Sequence, residues 1–459
     1  MGKIKLNIIF SDKEFYRTAT KLAIPIAFQS FMTLALTIVS NVMVGSLGEK
    51  AIAGVGLANQ IISMITLVIL SICSGASIFI AQFWGKKEVG SIHKAMGLSL
   101  VLGVFIAFIF TLASLLFSEQ ILKAFTSDMN VVHLGGRFLK ISAIGVIISV
   151  ITFSYSFSLR STGYVKLPMI TSIIAFVVGL GMNDILIKGR LGLPEMGTDG
   201  SAVASVISRI AEVIILLYIT YKNNYPAAAK IKEMMNISFD FFIVFLKTTV
   251  PAMVNECMWQ LGVTIYMAAF ARMGTGIIAA LNITLTVDRV ALVIFMGMSY
   301  TCATMIGNSI GANEYKKAYL YARRFIIIGP ILGAAMGTLV IFSSSWIVSM
   351  FILSADNQKL VSSMLLIVAI FMPVRVFNTI MLNGVCRSGG DTRFPAIMET
   401  LGLWLISVPL AFIAGLYWRL PAEWVLLLVM LVEVYRFFMY IWKYLSKNWA
   451  NNLIHSIGG

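Results

Sequence analysis

Long runs without a single charge alternate with short polar punctuation along this chain. No charged residue occurs from Leu22 to Gly48, from Ala51 to Gly85, from Ala95 to Ser118 or from Phe325 to Ala355. About 20 apolar residues carry a helix across the hydrocarbon core of a bilayer, so each run is long enough to span it. The same pattern predicts helices at 16–46, 51–85, 93–118, 131–158, 166–188, 200–222, 243–271, 276–311, 317–348, 357–386, 394–418 and 422–445. The run 51–85 exceeds one crossing and is expected to tilt, bend or protrude into water. The fold class that follows is all-α, an integral membrane protein of twelve transmembrane helices.

Composition supports this reading. Hydrophobic residues make up 59% of the 459 and charged residues 12%, with a mean hydropathy of +0.91, whereas soluble chains carry about 25% charged residues. The net charge of +15 could suggest a nucleic-acid partner, but the placement of the charges argues against one. Alternate loops gather most of the basic residues, among them Lys3, Lys5, Lys13, Arg17 and Lys21, Lys86, Lys87 and Lys94, and Lys222, Lys230, Lys232 and Lys247. Positive residues stay on the cytoplasmic side, so both termini are expected there, in a multi-pass protein of the cell membrane. The apolar stretch at 6–10 is too short for a signal peptide. Cys73, Cys257, Cys302 and Cys386 are dispersed and form neither a disulfide framework nor a zinc motif. His93, His133 and His455 fall in predicted loops or the tail. Without a phosphate-binding loop, a Ser/His/Asp set or a metal cluster, the chain does not read as an enzyme, and no cofactor is expected.

An internal repeat organises the helices. The pattern R-S-x-G-x-x-[K/R]-x-P occurs at Arg160–Pro168, between the fourth and fifth helices, and again at Arg387–Pro395, between the tenth and eleventh. The same offset, to within one residue, connects Pro25 to Pro251, Gly48 to Gly274, Ala53 to Ala279, Gly85 to Gly311 and Glu88 to Glu314. Six helices separate equivalent points, so the halves are expected to be parallel repeats about an axis along the membrane normal. This predicts an N-terminal lobe at 1–222, a cytoplasmic linker at 223–242 with an interfacial amphipathic helix, and a C-terminal lobe with a short tail at 243–459. Transport folds of this kind hold substrate near the midplane between their halves. In the two R-S-x-G junctions, glycine would permit the turn, proline would start the next helix, and the basic residues would anchor the cytoplasmic face.

The segments Asn41–Gly48 and Ala51–Gln60 resemble the first helix junction of the multidrug and toxic compound extrusion (MATE) family. So do Arg160–Pro168, Leu186–Pro194, Gly307–Glu314 and Arg387–Pro395, and the resemblance runs from about residue 15 to 445. It implies a twelve-helix, two-lobed, V-shaped antiporter, and the chain is expected to be a monomer in the lipid bilayer. Such an antiporter expels cationic or amphiphilic organic small molecules against inward flow of Na+ or H+. Where one branch of the family has an Asp on the first helix, this chain has Ser40; where that branch has Asn and Asp on the fifth, it has Gly179 and Asn183. A coupling site in the N-terminal lobe is therefore not expected. Another branch uses a Glu on the seventh helix, matched here by Glu256, and an acid on the tenth, where this chain offers only Arg375-Val-Phe-Asn378.

Ion coupling needs a group inside the membrane that binds a cation in one state and releases it in another, and a buried carboxylate does this. Glu256, five residues after Pro251, and Asp288, in mid-span of the eighth helix, are the coupling candidates. Glu256 could instead be a structural acid paired to another helix, and Asp288 could neutralise Arg289 or Arg375. Arg375 could bind an anionic substrate, with pairing the stronger alternative. Asn41 and Asn255, on the two repeat-related helices, are candidate substrate contacts, with interhelical hydrogen bonding as their alternative. Trp259 and Tyr266 fall near the Glu256 face and could wall a cation. Arg209 and Glu212 are spaced to neutralise each other, and Glu399 and Glu433 read as acids snorkelling from span ends. A lipid-linked precursor flippase is the competing function; it commonly presents several cationic residues to a pyrophosphate, and here only Arg375 and Arg289 qualify.

Overall fold

The computed structural model describes residues 12–351 and 353–455; Lys3, Lys5 and the stretch at 6–10 lie outside them. All twelve predicted helices are present: α1 (Lys13–Gly45), α2 (Glu49–Gly85), α3 (Val89–Lys123), α4 (Met129–Ser161), α5 (Lys166–Lys188), α6 (Gly197–Lys222), α7 (Phe239–Met273), α8 (Thr275–Gly311), α9 (Tyr315–Ser349), α10 (Ala355–Cys386), α11 (Arg393–Tyr417) and α12 (Ala422–Leu445). Among the described residues there is no strand, only one isolated bridge between Gly390 and Ala450. The long run after Gly48 is one unbroken helix of 37 residues, about 55 Å at 1.5 Å per residue, so it outreaches a hydrocarbon core of about 30 Å. α3 continues past its apolar stretch to Lys123, with a break in helical geometry at Phe117.

The repeat extends to the backbone. Gly48 and Gly274 precede α2 and α8 with positive φ, Lys87 and Asn313 turn the chain after those helices at φ 61° and 58°, and Gly163 and Gly390 do so at φ 89° and 76°. The last two are the glycines of the R-S-x-G pattern, where a side chain would be strained. Pro168 and Pro395 then sit in the first turns of α5 and α11, where a missing N–H costs nothing. The basic residues of the pattern divide in a way the sequence reading missed. Lys166 and Arg393 are exposed, whereas Arg387 is buried and Arg160 half-buried, so the two arginines do not anchor a cytoplasmic surface.

The chain forms two compact units. One comprises Phe28–Met253; the other joins the described residues up to Ala27 with those from Val254 onward. The unit boundaries thus fall inside α1 and α7, shortly after Pro25 and Pro251, and each unit includes the first part of a helix whose remainder belongs to the other. In the first unit the linker holds a five-residue helix, Ile231–Met235. Its Met234 backbone lies against Gly97 of α3, and both ring nitrogens of His93 meet acceptors, Glu233 Oε2 at 2.9 Å and Pro226 O at 3.0 Å. The Lys230 backbone N–H and then His93 hold the Glu233 carboxyl below its ordinary range. In the second unit the tail plays a similar part: Asn451 N donates to Gly389 O at 2.8 Å and Trp449 is fully buried.

α1 enters the second unit through one exposed acid. Asp12 Oδ1 accepts the Phe15 N–H at 3.0 Å, capping the first turn. Its Oδ2 accepts Arg324 Nη1 of α9 at 2.6 Å, and that guanidinium also lies over the Phe15 ring. Arg324 and then the Phe15 N–H hold the Asp12 carboxyl below its usual range. A depressed carboxyl stabilises the fold above its ordinary pKa and ceases to do so as pH falls through the lowered value. Asp12→Asn is therefore expected to melt below wild type at pH 7, with the two melting curves converging in acid; a gap that is unchanged down to pH 3 would refute the assignment.

Candidate functional site

Ionisable side chains on α7, α8, α10, α11 and α12, most of them buried, define the polar interior of the second unit. Glu256 lies on α7 one turn beyond Pro251, and its Oε1 accepts Arg387 Nη2 at 2.9 Å. The Glu256 side chain keeps 24% of its surface exposed and Arg387 only 7%. Arg387 reaches it because the end of α10, Ile380–Cys386, widens to i→i+5 hydrogen bonding, an arrangement that rotates the following side chain off the regular helical face. The first unit has an equivalent contact with the charge removed. Arg160 Nε and Nη2 donate to Gln29 Oε1 at 3.1 and 2.7 Å, and the partners in both units are 131 residues apart. The duplicated arginine thus grips a neutral amide in one unit and a carboxylate in the other.

A second cluster lies across α8, α10, α11 and α12. Asp288, buried on α8, pairs with Arg375 of α10, so the structure realises the pairing alternative for both residues; Arg289 points outward and is exposed. Arg375 Nε also stands 4.0 Å from Glu433 Oε1. Glu433 in turn accepts Arg436 Nη1 at 3.2 Å and Asn378 Nδ2 at 2.8 Å. Arg436 Nε is 3.4 Å from Glu399 Oε1 of α11. Glu399 and Glu433 are therefore interior members of a charge chain and do not snorkel from span ends, as the sequence reading had them. Nothing in one-dimensional spacing joins Glu399 to Arg436 or Asp288 to Arg375; the only local signal was Glu433 followed by Arg436 one turn later on α12.

The remaining candidates separate. Tyr266 is buried, in edge contact with Phe270, and lies in the field of Arg375 and Asp288, away from the Glu256–Arg387 pair. Trp259 is 37% exposed. Asn255 is buried with its Oδ1 unpartnered. Asn41 is exposed and its Oδ1 accepts Asn59 Nδ2 at 3.2 Å. Asn183 donates to Ser40 Oγ at 3.2 Å, so the two neutral positions that replace family acids bond to each other. Arg209 and Glu212 act on each other only through their fields and show no ion pair at contact distance among the described residues: Arg209 turns to α4, donating to Ser149 Oγ and, at 3.3 Å, to Gly145 O.

A model of the MatE family matches this chain twice, at residues 25–185 and 251–413, once for each repeat. The probable multidrug resistance protein YoeA of Bacillus subtilis is 24% identical over 442 residues, covering 94% of this chain and 95% of that protein. The probable multidrug resistance protein NorM of Thermotoga maritima is 23% identical over 419 residues, covering 89% and 87%. Among solved structures, the Vibrio cholerae MATE transporter VcmN superposes with a TM-score of 0.87 at 16% identity, covering 96% of this chain and 98% of that one. A MATE structure in complex with MaL6 superposes with a TM-score of 0.85, also at 16% identity, covering 97% and 98%. At these identities the structural likeness speaks for the fold.

The Asp288–Arg375 pair generates a stability test. Removing one member of a buried ion pair leaves an uncompensated charge and costs about 3–5 kcal/mol, whereas replacing both by apolar groups is often neutral. Arg375→Met is expected to lower the melting temperature sharply and Asp288→Leu combined with Arg375→Met to recover most of the loss. Equal loss in the single and double variants would show that the pair does not act as a unit.

Proposed function

The chain belongs to the MatE family of multidrug and toxic compound extrusion transporters, and on that premise we propose that it exports cationic or amphiphilic organic compounds in exchange for Na+ or H+. The observation that carries this reading is Glu256, a partly exposed intramembrane carboxylate whose partner is the tethered cation Arg387. A carboxylate in that setting has a counter-charge when empty, and an incoming ion or organic cation competes with the guanidinium for the same oxygens. Ion and solute then exclude one another at one acid, which is the requirement for exchange. Its repeat mate Gln29 cannot play this part, because an amide carries no charge to be exchanged. Asn255 beside Glu256, with an unpartnered buried oxygen, and the exposed Trp259 one turn on suit the organic half of the exchange. We place the protein in the cell membrane with both termini in the cytoplasm, working as a monomer.

A lipid-linked precursor flippase is supported less well. It calls for cationic side chains open to a pyrophosphate, and Arg375 is closed off by Asp288 and Glu433.

Proteoliposomes given a sodium gradient and a proton gradient in separate experiments test the proposal. Wild type is expected to drive efflux of a cationic dye under one of them, which identifies the ion. Glu256→Gln is expected to reduce that gradient-driven efflux by about tenfold or more, a barrier change of about 1.4 kcal/mol or more. Equal efflux in wild type and Glu256→Gln would overturn the site, and scrambling of a labelled lipid in place of dye efflux would favour the flippase.

A further inference from the structure

In a membrane interior an ionised side chain must meet an opposite charge or give up its ionisation. Applied to the chain of groups on α8, α10, α11 and α12, that rule leaves a remainder. Asp288, Glu433 and Glu399 supply three carboxylates, while Arg375 and Arg436 supply two guanidiniums. The neighbouring acid Glu256 is matched by its own Arg387, so counting it in changes nothing. One carboxylate is in excess.

The contacts identify which. Asp288 has Arg375 to itself at contact distance. Glu433 receives Asn378 Nδ2 at 2.8 Å and Arg436 Nη1 at 3.2 Å, the surroundings of an ionised acid. Among the described residues the Glu399 carboxyl, 8% exposed, meets only Arg436 Nε at 3.4 Å and the Tyr440 hydroxyl at 3.4 Å, both beyond the about 2.7–2.9 Å of a charge-assisted bond. Arg436 Nε makes no hydrogen bond at all, and neither does the buried Asn378 Oδ1 beside Glu433. Around Glu399 stand Arg436, Glu433 and Tyr440 from α12, Glu256 from α7 and Arg387 from the end of α10. Glu433 and Glu256 are already engaged by guanidiniums, which repel a metal ion, and no group of three acids, histidines or cysteines among the described residues is placed to hold one, whereas a proton needs only the carboxylate.

We propose that Glu399 is a proton-binding site, held as a neutral carboxylic acid beside an ionised Glu433, so that the α8–α12 charge chain is neutral as a whole. Arg436 is the guanidinium that the two acids share, so a displacement of Arg436 toward Glu399 releases the proton. The helix carrying Glu399 twice leaves regular geometry, at Leu403–Ser407 and Ile413–Tyr417, widened turns of a kind frequent at functional sites. This inference does not rest on the solute or on Glu256, and its test reads protonation and stability instead of transport.

The experiment uses the purified full chain in lipid nanodiscs at pH 7. Infrared absorbance of protonated carboxyl groups is expected in wild type and is expected to lose one component in Glu399→Gln, to keep it in Glu399→Asp at a shifted frequency, and to keep it in Glu256→Gln. Because Gln imitates the neutral acid, Glu399→Gln is expected to melt at or above the wild-type temperature, while Arg436→Gln melts below it. A simple structural ion pair between Glu399 and Arg436 predicts the opposite for Glu399→Gln. The proposal is overturned if the protonated-carboxyl absorbance is the same in wild type and Glu399→Gln, or if Glu399→Gln melts lower or fails to fold.

Discussion

Charge compensation in a medium that cannot solvate ions is the constraint on which the C-terminal half of this molecule depends. Helices in lipid gain nothing from hiding apolar surface from one another, so their assembly relies on close packing and on polar contacts. Here the polar contacts come from elements far apart in sequence. Arg375 holds α10 to α8 through Asp288, Arg436 ties α12 to α11 through Glu399, and Arg387 ties the end of α10 to α7 through Glu256. Each contact sets the height at which two helices meet, a property that a uniform apolar surface leaves undetermined. Removing any one charge therefore disturbs more than one helix.

The two halves of the chain keep the same scaffold and differ in what they place on it. Turns with positive φ recur at Lys87 and Asn313 and at Gly163 and Gly390, and an arginine recurs at the end of the fourth and tenth helices. In the first unit that arginine meets Gln29, and neutral contacts such as Ser99 with Ser154 at 2.7 Å and Asn183 with Ser40 stand beside the Arg137–Asp199 pair and Arg209 on Ser149. In the second it meets Glu256 and adjoins a chain of acids and guanidiniums. Duplication preserved the backbone, because turn geometry tolerates few residues. The larger network of ion pairs lies in the second unit.

Each proposed ionisable site in that unit has a guanidinium beside it. Glu256 has one of its own and is partly exposed, which suits a group that trades partners. Glu399 shares one with Glu433 and is closed off, which suits a group whose charge follows the positions of its neighbours. In the roles proposed, the same two residue types would serve exchange in one place and sensing of helix position in another, with exposure deciding between them.

By itself the sequence determined the twelve spans, their repeat and the family, because span length, charge-free runs and turn glycines are local requirements that read directly in order along the chain. It also marked Glu256 and Asp288 as acids needing an explanation. It left open whether Asp288 pairs with Arg289 or Arg375, it pointed Arg209 to Glu212, and it assigned Glu399 and Glu433 to span ends. Only the tertiary structure decided these: Asp288 meets Arg375, Arg209 turns to Ser149, and both glutamates join Arg436. The reason is that a long side chain in an apolar interior takes a partner within its reach, and which partners come within reach is set by which helices pack together, not by distance along the chain.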